Sequence, residues 1–219
     1  MIIAQQVEQG SEAWHELRKG RATASEADKI ITSTGKVSTQ RLGYMRKLAR
    51  ECIANDPHEW TGNKYTDWGN ATEAEAREYF ARHTGLEVDQ VGFCNRADRA
   101  PIGCSPDGLI QSNGEYVAGL ELKCPQVDTH VGYLLEGTLP TAYKVQVHWS
   151  MATTGLRKWW FLSYFPGLKP LSMLVDWDEF TDQVRDAQDL FVIDYAAERQ
   201  RVLEAIRIDA KPQTEEAIV

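Results

Sequence analysis

GCSPDGLIQSNGEYVAGLELKCP, residues 103–125, carries the strongest fold signal in this sequence. Its runs Leu109–Gln111 and Tyr116–Cys124 have the composition of strands. Asp107-Gly108 and Ser112-Asn113-Gly114 have the composition of turns, and Asn-Gly between two such runs is typical of a tight hairpin. The stretch therefore predicts neighbouring strands within a sheet.

Side chains alternate along a strand, so Tyr116–Cys124 has two distinct faces. Leu120, Leu122 and Cys124 share one face, which is apolar, while Glu121 and Lys123 share the other. Asp107 lies 14 positions before Glu121, in a turn that can fold back as a neighbouring strand. We therefore expect the Asp107 carboxylate to lie beside that of Glu121.

These residue types suggest a metal site that acts on phosphate. Two carboxylates and a strand carbonyl are hard oxygen ligands suited to Mg²⁺ or Mn²⁺. The Lys123 ammonium can orient an attacking water and neutralise charge on the phosphorane. The alternative is an amphipathic strand on which Glu121 and Lys123 are merely exposed, and spacing alone leaves both interpretations open.

Periodicity and composition predict the remaining elements. Helices are expected after Thr23-Ala24-Ser25-Glu26 and over 39–54, 72–83, 130–135, 142–152 and 178–206. Further strands are expected over 88–94, 158–165 and 171–175. This order predicts an α/β or α+β fold, with a central mixed sheet covered by helices. No repeat or long linker divides residues 1–219, which we interpret as one domain.

Three finer expectations concern single elements. Thr72 and Glu75 have the spacing of a capping box, which places Glu73 in the first turn of its helix. In the strand Trp159-Trp160-Phe161, one tryptophan should be core and the other should pack beneath a helix or against a partner subunit. On the last helix, we expect a packed apolar stripe of Leu190, Ile193, Leu203 and Ile206.

Composition excludes several classes. The chain is 42% hydrophobic and 26% charged, with no 18-residue apolar run, so we expect a soluble, cytoplasmic protein with no membrane partner. The four cysteines form no CxxC pair, which is typical of reduced thiols. HExxH, P-loop and GxGxxG motifs are absent, so zincin, nucleoside-triphosphatase and dinucleotide chemistry have no support.

A net charge of −8 argues against a nucleic-acid partner, but the charge is unevenly distributed. Residues 176–219 hold 12 acidic and 5 basic side chains, whereas Gly35–Arg50 holds five basic side chains and no acid. The basic run is either a local patch for an anionic partner or an ordinary solvated helix face.

The Asp107, Glu121 and Lys123 pattern resembles the PD-(D/E)xK nuclease motif, and the surrounding chain resembles the phage lambda exonuclease family. The resemblance spans about residues 7–175. It is carried by Val7–Gly10, Ala13–His15, Leu17-Arg18, Thr23–Glu26, Trp68-Gly69 with Glu73, Cys104–Gly108, Leu120–Pro125, and Tyr143 with Gln146-Val147.

This resemblance implies a PD-(D/E)xK core over residues 7–175 and a C-terminal acidic helix and tail over 176–219. It implies a Mg²⁺-dependent 5′-to-3′ exonuclease that degrades one strand of linear double-stranded DNA to 5′-mononucleotides and leaves 3′ single-stranded tails. The expected partners are double-stranded DNA ends, two further copies in a homotrimer, and a single-strand annealing protein. The expected setting is the bacterial host cytoplasm, with a phage or prophage gene.

The resemblance also implies roles for individual residues. Metal ligands are Asp107, Glu121 and the Leu122 carbonyl, Lys123 activates water, and Glu73 and Gln146 are further active-site residues. Arg18, Ser25 and Ser105 match the pocket for the terminal 5′-phosphate, and Tyr143 is either a DNA contact or a packing residue. The position of the strand-separating wedge holds Thr66, and the neighbouring Tyr65 is an alternative that stacks on a base.

Three alternatives stay open. A PD-(D/E)xK endonuclease shares the motif and would also cut a closed circle. A Cas4-like nuclease with an iron–sulfur cluster is disfavoured, because the cysteines at 52, 94, 104 and 124 lack the close spacing of cluster ligands. A non-catalytic DNA-binding protein of the same fold is disfavoured by the intact Asp107, Glu121 and Lys123.

Overall fold

The computed structural model describes residues 1–4, 7–52 and 64–206, with side chains described from residue 72 onward in the last range. The helices are α1 (Glu12–Arg18), α2 (Arg41–Glu51), α3 (Lys64–Thr84), α4 (Val127–Glu136), α5 (Thr141–Thr154) and α6 (Glu179–Ala205). The strands are β1 (Ile2–Ala4), β2 (Ala22–Thr23), β3 (Glu87–Asp89), β4 (Phe93–Asn95), β5 (Ile102–Cys104), β6 (Gly108–Ser112), β7 (Glu115–Lys123), β8 (Lys158–Ser163) and β9 (Leu171–Asp176).

Two mixed sheets form the framework, in the strand orders β1-β4-β5-β2 and β3-β6-β7-β8-β9. The second contains the predicted hairpin, in which Ser112 pairs with Glu115 across Asn113-Gly114. Both turn residues have positive φ, 52° and 81°, as the type I′ turn of a two-residue hairpin requires. The predicted mixed α/β architecture is confirmed, with a second, four-stranded sheet in addition.

Helices cover both faces of the five-stranded sheet. Ala76 and Phe80 of α3 pack on the face that carries Leu120 and Leu122, as the alternation predicted. The opposite face packs against Val147 and Met151 of α5 through Trp159 and Phe161. The other side of α5 packs against the four-stranded sheet, so α5 is a central helix between the two sheets.

The two tryptophans of β8 follow the prediction. Trp159 is fully buried beneath α5, and its indole lies so close to Gly119 that a Cβ there would meet it at 2.3 Å. Trp160 faces the other side and packs edge-on against Phe80 of α3, with ring centroids 5.4 Å apart. Gly119 therefore provides the space that the core tryptophan occupies.

Several predicted boundaries are wrong. The expected strand 88–94 is two strands in different sheets. The strand is interrupted at Gly92, where the backbone lies so close to Val7 that a Cβ would be 2.0 Å from the Val7 carbonyl oxygen. The segment after Thr23 is a 3₁₀ helix, Ala24–Lys29, and Thr23 makes no capping bond to it.

α3 begins at Lys64, so Thr72 and Glu75 form no capping box. Once nucleated, a helix propagates through weak formers such as Gly69 and Asn70.

The predicted stripe of α6 is also wrong. Leu190 and Ile193 are 59% and 67% exposed, and Ile206 is exposed as well. The buried face is instead Phe180, Thr181, Val184, Gln188, Phe191, Tyr195 and Glu198. Hydrophobicity alone misplaces this face because three of its members, Thr181, Gln188 and Glu198, are polar side chains that have hydrogen-bond partners.

The basic run of α2 binds acidic side chains of the same chain. Arg46 Nε lies 2.7 Å from Glu198 Oε1, Arg41 pairs with Asp194, and Lys47 Nζ lies 2.8 Å from Glu26 Oε2. These pairs join α2 to α6 and to the 3₁₀ helix. Part of the C-terminal acidity therefore serves helix packing, and three of the five cations predicted as a patch are already paired.

Residues 53–63 and 207–219 lie outside the described part. They include the last two residues of the predicted helix 39–54 and the end of the acidic tail. No helix within the described ranges combines the length and the apolar character that crossing a membrane requires.

Candidate active site

The Asp107 carboxylate lies at the end of β7, where the sequence predicted it. Asp107 immediately precedes β6, and its N–H donates to the Leu120 carbonyl at 3.1 Å. Its Oδ2 accepts a hydrogen bond from the Leu122 N–H at 2.6 Å. The hairpin thus places Asp107 beside Glu121, with one hydrogen bond to its backbone N–H and one to its side chain.

Glu121 and Lys123 share the face of β7 that α5 covers. Lys123 Nζ lies 2.6 Å from Glu121 Oε1, and Gln146 of α5 donates to the same oxygen through Nε2 at 2.5 Å. Glu121 is only 2% exposed, so it is not the solvated side chain of an ordinary amphipathic strand. The structure brings Glu121, Lys123 and Gln146 together.

Glu73 approaches this group from α3. It lies in the interior of α3 rather than in its first turn, because the helix begins nine residues earlier at Lys64. Its carboxylate is close enough to that of Asp107 for the Asp107 charge to raise its pKa. Glu73, Asp107, Glu121 and Lys123 therefore form one electrostatic unit, which we call the carboxylate centre.

Protonation at the carboxylate centre is strongly perturbed. Burial raises the pKa of Glu121 to about 7, with the negative charges of Asp107 and Glu73 adding to the rise and Lys123 opposing it. Burial and the Asp107 charge likewise raise the pKa of Glu73 to about 7. Burial raises the pKa of Asp107 as well. Burial favours the neutral amine of Lys123, but Glu121 and Asp107 outweigh it and raise the lysine pKa.

The donor set of the carboxylate centre fits a divalent cation. Oxygen donors are available from the Asp107 and Glu121 carboxylates and from the Leu122 carbonyl, and hard oxygens are what Mg²⁺ and Mn²⁺ prefer. A divalent cation would also offset the repulsion that raises these pKa values. Within the described ranges, no three His, Cys, Asp or Glu side chains are grouped as a metal site, and the predicted set requires only two.

A second cluster forms around Arg18, at the C-terminal end of α1. Its guanidinium donates to three hydroxyl oxygens: Ser25 Oγ at 3.1 Å, Ser105 Oγ at 3.3 Å and Thr23 Oγ1 at 3.3 Å. Its Cζ lies 4.3 Å from the centre of the Trp14 ring. Arg18, Ser25 and Ser105, predicted together, therefore meet in space; we call this group with Thr23 and Trp14 the hydroxyl–arginine cluster.

Arg18 is a half-buried cation held by neutral partners. In the described part of the chain, no carboxylate lies within ion-pair distance of its guanidinium, although Glu26 and Glu51 act on it from farther away. Burial lowers the pKa of Arg18. A desolvated guanidinium that has only hydroxyl partners favours an added anion, and its planar set of N–H donors matches phosphate oxygens.

The remaining predicted residues divide into two groups. Tyr143 lies on α5, stacked on Phe161 with centroids 5.5 Å apart, and its ring centre is 5.1 Å from Lys123 Nζ. It is thus a packing neighbour of the lysine in this structure. The side chains of the two wedge candidates, Tyr65 and Thr66, lie outside the described part.

Two members of the hydroxyl–arginine cluster were not predicted as site residues. Thr23 was predicted only to precede a helix and to belong to the matching stretch Thr23–Glu26, yet its hydroxyl is buried against Arg18. Trp14 donates from its indole Nε1 to Ser105 Oγ at 3.0 Å and to the Gly92 carbonyl at 3.1 Å. The available signal was the spacing of Trp14 and Arg18, four apart on one helix, which places them on the same face.

The fold and this motif define the class: a mixed sheet that presents Asp and then Glu-x-Lys at adjacent strand ends is the core of PD-(D/E)xK nucleases. Residues 13–157, about two thirds of the chain, match the YqaJ-like viral recombinase domain. The chain belongs to the YqaJ-like viral recombinase family. No curated protein sequence is significantly similar to it.

Solved structures agree with the family. The alkaline exonuclease LHK-Exo from Laribacter hongkongensis is 25% identical, with a TM-score of 0.76 over 89% of this chain and 97% of that protein. LHK-Exo in complex with dAMP gives the same TM-score at 24% identity over the same shares. A phage-related exonuclease from Haemophilus somnus 129PT shares the fold at 16% identity, with a TM-score of 0.61 over 84% of this chain and 96% of the other. Family and fold together support a nuclease.

Proposed function

We propose that this protein is a Mg²⁺-dependent exonuclease that degrades one strand of linear double-stranded DNA from 5′ to 3′. It releases 5′-mononucleotides and leaves 3′ single-stranded tails. The observation that carries this proposal is the position of Arg18, whose guanidinium has hydroxyl partners and, within the described ranges, no carboxylate partner. Its partner Ser105 lies only two residues from Asp107, so an anion site and the carboxylate centre share one short segment.

A short piece of chain joins the two clusters. Two extended residues span at most about 7 Å, so Ser105 and Asp107 lie within the reach of one nucleotide of a DNA strand. A terminal phosphate held by Arg18 would thus place the adjacent phosphodiester, the next along the strand, at the carboxylate centre. Each cleavage would regenerate a terminal 5′-phosphate for the same cluster, which gives a direction to digestion.

Each residue of the carboxylate centre then has a chemical task. Asp107, Glu121 and the Leu122 carbonyl would hold the cation, which when bound supplies positive charge to the phosphoryl oxygens. Lys123 orients the attacking water and neutralises charge as it develops. Gln146 fixes the rotamer of Glu121, and Glu73 contributes a carboxylate from the α3 side. Mn²⁺ should substitute for Mg²⁺, because both prefer oxygen donors.

The decisive experiment compares three substrates at equal concentration with Mg²⁺. They are 5′-phosphorylated linear duplex, the same duplex with 5′-hydroxyl ends, and a covalently closed circle. We expect mononucleotide release from the linear substrates only, fastest from phosphorylated ends, and none in EDTA. Nicking of the closed circle would establish an endonuclease, and DNA binding without cleavage of any substrate would establish a non-catalytic DNA-binding protein.

We also propose that three copies form a ring around DNA and deliver the 3′ tail to a single-strand annealing protein. An acidic chain whose α2 cations are largely paired holds DNA weakly on its own, whereas a closed ring retains substrate through effective concentration. Sedimentation should show a trimer. A stable monomer with full processive activity would contradict the ring.

A further inference from the structure

The segment Ser105-Pro106-Asp107 joins β5 to β6 and contributes one residue to each cluster. Its backbone makes few strand-type hydrogen bonds: Pro106 has no N–H, and the Asp107 N–H donates to the Leu120 carbonyl just before the paired residues of β6 begin at Gly108. The carbonyl oxygens of Pro106 and Asp107 each accept a hydrogen bond from a side chain instead. Both donors come from elements far away in sequence.

Gln9 is the first donor. Its Nε2 donates to the Pro106 carbonyl at 2.8 Å and to the Val91 carbonyl at 2.9 Å. Two carbonyl acceptors can be satisfied only by the NH₂ end of the amide, which uses both of its hydrogens here. Gln9 thereby ties the chain before α1 to the start of the catalytic hairpin, across 97 positions of sequence.

Arg77 is the second donor. Its Nε donates to the Asp107 carbonyl at 2.9 Å. Arg77 lies one helical turn after Glu73 on α3, so the same helix places a carboxylate and a cation at the carboxylate centre. Burial raises the pKa of Glu73 and of Asp107, and the Arg77 charge opposes both rises.

We propose that Gln9 and Arg77 are positioning residues that hold two successive carbonyls and thereby fix the Asp107 carboxylate for the divalent cation. We call this pair the carbonyl clamp. The inference rests on the proposed function, since it assigns the clamp a purpose in metal binding. It adds two residues that neither the motif nor the Lys123 chemistry requires.

The physical need for the clamp comes from repulsion. The Asp107 carboxylate lies near enough to those of Glu121 and Glu73 for its charge to raise their pKa values, and among the described residues its side chain accepts one hydrogen bond, from the Leu122 N–H. Without the clamp, the segment could relax and carry the Asp107 carboxylate away from Glu121. Metal affinity would then decrease, and the fixed spacing from Ser105 to Asp107 would be lost with it.

The test uses the full-length chain with Gln9→Met and Arg77→Met, which remove the donors but keep most of the side-chain length. Arg77→Lys keeps the positive charge and N–H donors but lacks the guanidinium Nε that makes the observed bond. Matched controls are Gln90→Met, and Arg82→Met on the same helix, both at exposed positions. Three quantities are measured: Mn²⁺ affinity without DNA, by titration with electron paramagnetic resonance detection; kcat and KM on phosphorylated duplex; and thermal unfolding without metal.

We expect Mn²⁺ affinity to fall roughly 3- to 10-fold in Gln9→Met and roughly 10- to 100-fold in Arg77→Met. kcat should fall in parallel while KM for DNA stays within about 2-fold, and Arg77→Lys should recover part of both losses. The controls should match wild type. A structural role alone would lower the unfolding temperature and leave the Mn²⁺ affinity of the folded protein unchanged, and that result would overturn the proposal.

The outcomes separate this inference from the proposed function. If wild-type protein neither binds Mn²⁺ nor cleaves DNA, the proposed function fails and the clamp fails with it. If wild type does both and Gln9→Met equals the Gln90→Met control in Mn²⁺ affinity and kcat, only the clamp is wrong. Should Arg77→Met not fold, the Gln9→Met and Arg77→Lys results decide.

Discussion

The two clusters on either side of Pro106 are opposite in their electrostatics. The hydroxyl–arginine cluster is one cation surrounded by neutral hydroxyls, and each polar group in it already has a hydrogen-bond partner. The carboxylate centre gathers three acidic side chains around one ammonium, and burial raises the pKa of each carboxyl. One cluster has its hydrogen bonds made but holds a cation without an ion-pair partner among the described residues, whereas the other holds excess negative charge.

This difference implies different energetic roles. A preformed set of donors binds an anion with little rearrangement, so the hydroxyl–arginine cluster suits repeated capture and release. Holding like charges together in the carboxylate centre lowers the stability of the metal-free protein. A divalent cation would offset this repulsion. Substitutions at the two clusters should therefore change different measurements.

The largest effect is expected from Asp107→Asn and Glu121→Gln, which keep the shape and remove a charged oxygen ligand. We expect Mn²⁺ binding to be lost and cleavage to fall by more than about 10³-fold, since the cation's charge stabilisation is lost. Discrimination between 5′-phosphate and 5′-hydroxyl ends in DNA binding should persist. Normal Mn²⁺ binding in calorimetric titration of either variant would contradict the assignment of the cation to the carboxylate centre.

Lys123→Ala should have the next largest effect. The ammonium acts where charge develops during cleavage, so we expect a loss of roughly 10²- to 10³-fold in kcat. Metal and DNA binding should remain, which separates this variant from the carboxylate variants. Single-turnover cleavage beside Mn²⁺ titration makes the comparison, and near-normal turnover would exclude the role assigned to Lys123.

Arg18→Ala tests the other cluster. Charge-assisted contacts to one phosphate are worth roughly 1.5 to 3 kcal/mol, so the rate ratio of 5′-phosphorylated to 5′-hydroxyl duplex should fall about 10- to 100-fold. Mn²⁺ affinity should not change, because Arg18 makes no contact in the carboxylate centre. Full discrimination between the two ends in this variant would mean that polarity is recognised elsewhere.

The pH dependence of stability tests the charge imbalance directly. Glu73 and Glu121 have folded-state pKa values of about 7, above the ordinary 4.5 of the unfolded chain. Metal-free folded protein therefore holds more protons than the unfolded chain between these values. This contribution to stability is fully present below pH 4.5 and is lost as pH rises through 7, at about 1.4 kcal/mol per pH unit for each excess proton.

Urea unfolding of metal-free protein at several pH values measures this slope. Glu121→Gln removes one of the two titrations and should flatten the decline, whereas Glu78→Gln, at an exposed position of α3, should not. If wild type and Glu121→Gln lose stability equally between pH 5 and 7, the two glutamates do not titrate as we infer.

Local signals explain what could be predicted from the sequence. The β6–β7 hairpin follows from Asn113-Gly114 and from side-chain alternation, and it brings Asp107 near Glu121 and Lys123. These residues are close in sequence, so chemistry and spacing were sufficient for a hypothesis. The long helices α2, α5 and α6 were also located from local sequence composition and spacing, although the buried face of α6 was not.

Long-range packing explains what could not. Ser105 and Arg18 are 87 positions apart, and only the family resemblance placed them together. The split of residues 88–94 depends on the approach of Val7 to Gly92, and the buried face of α6 depends on partners for Gln188 and Glu198. Gln9 and Arg77 likewise donate to backbone carbonyls. Every residue has a backbone carbonyl, so the side-chain pattern does not indicate which ones are contacted.

The smallest effect is expected at Thr23, which distinguishes residues that orient Arg18 from residues that contact the phosphate within the hydroxyl–arginine cluster. Thr23 Oγ1 accepts from Arg18 at 3.3 Å and lies 3.4 Å from Ser25 Oγ, but the residue is only 3% exposed. It therefore orients the guanidinium from the buried side, whereas Ser25 and Ser105 can contact the phosphate.

Thr23→Val keeps the shape and removes one neutral hydrogen bond, worth about 0.5 to 1 kcal/mol. We expect the 5′-phosphate to 5′-hydroxyl rate ratio to fall roughly 2- to 5-fold, with Thr23→Ser close to wild type. A loss as large as that of Arg18→Ala would show that Thr23 contacts the phosphate itself, and the cluster would then require movement to bind its anion.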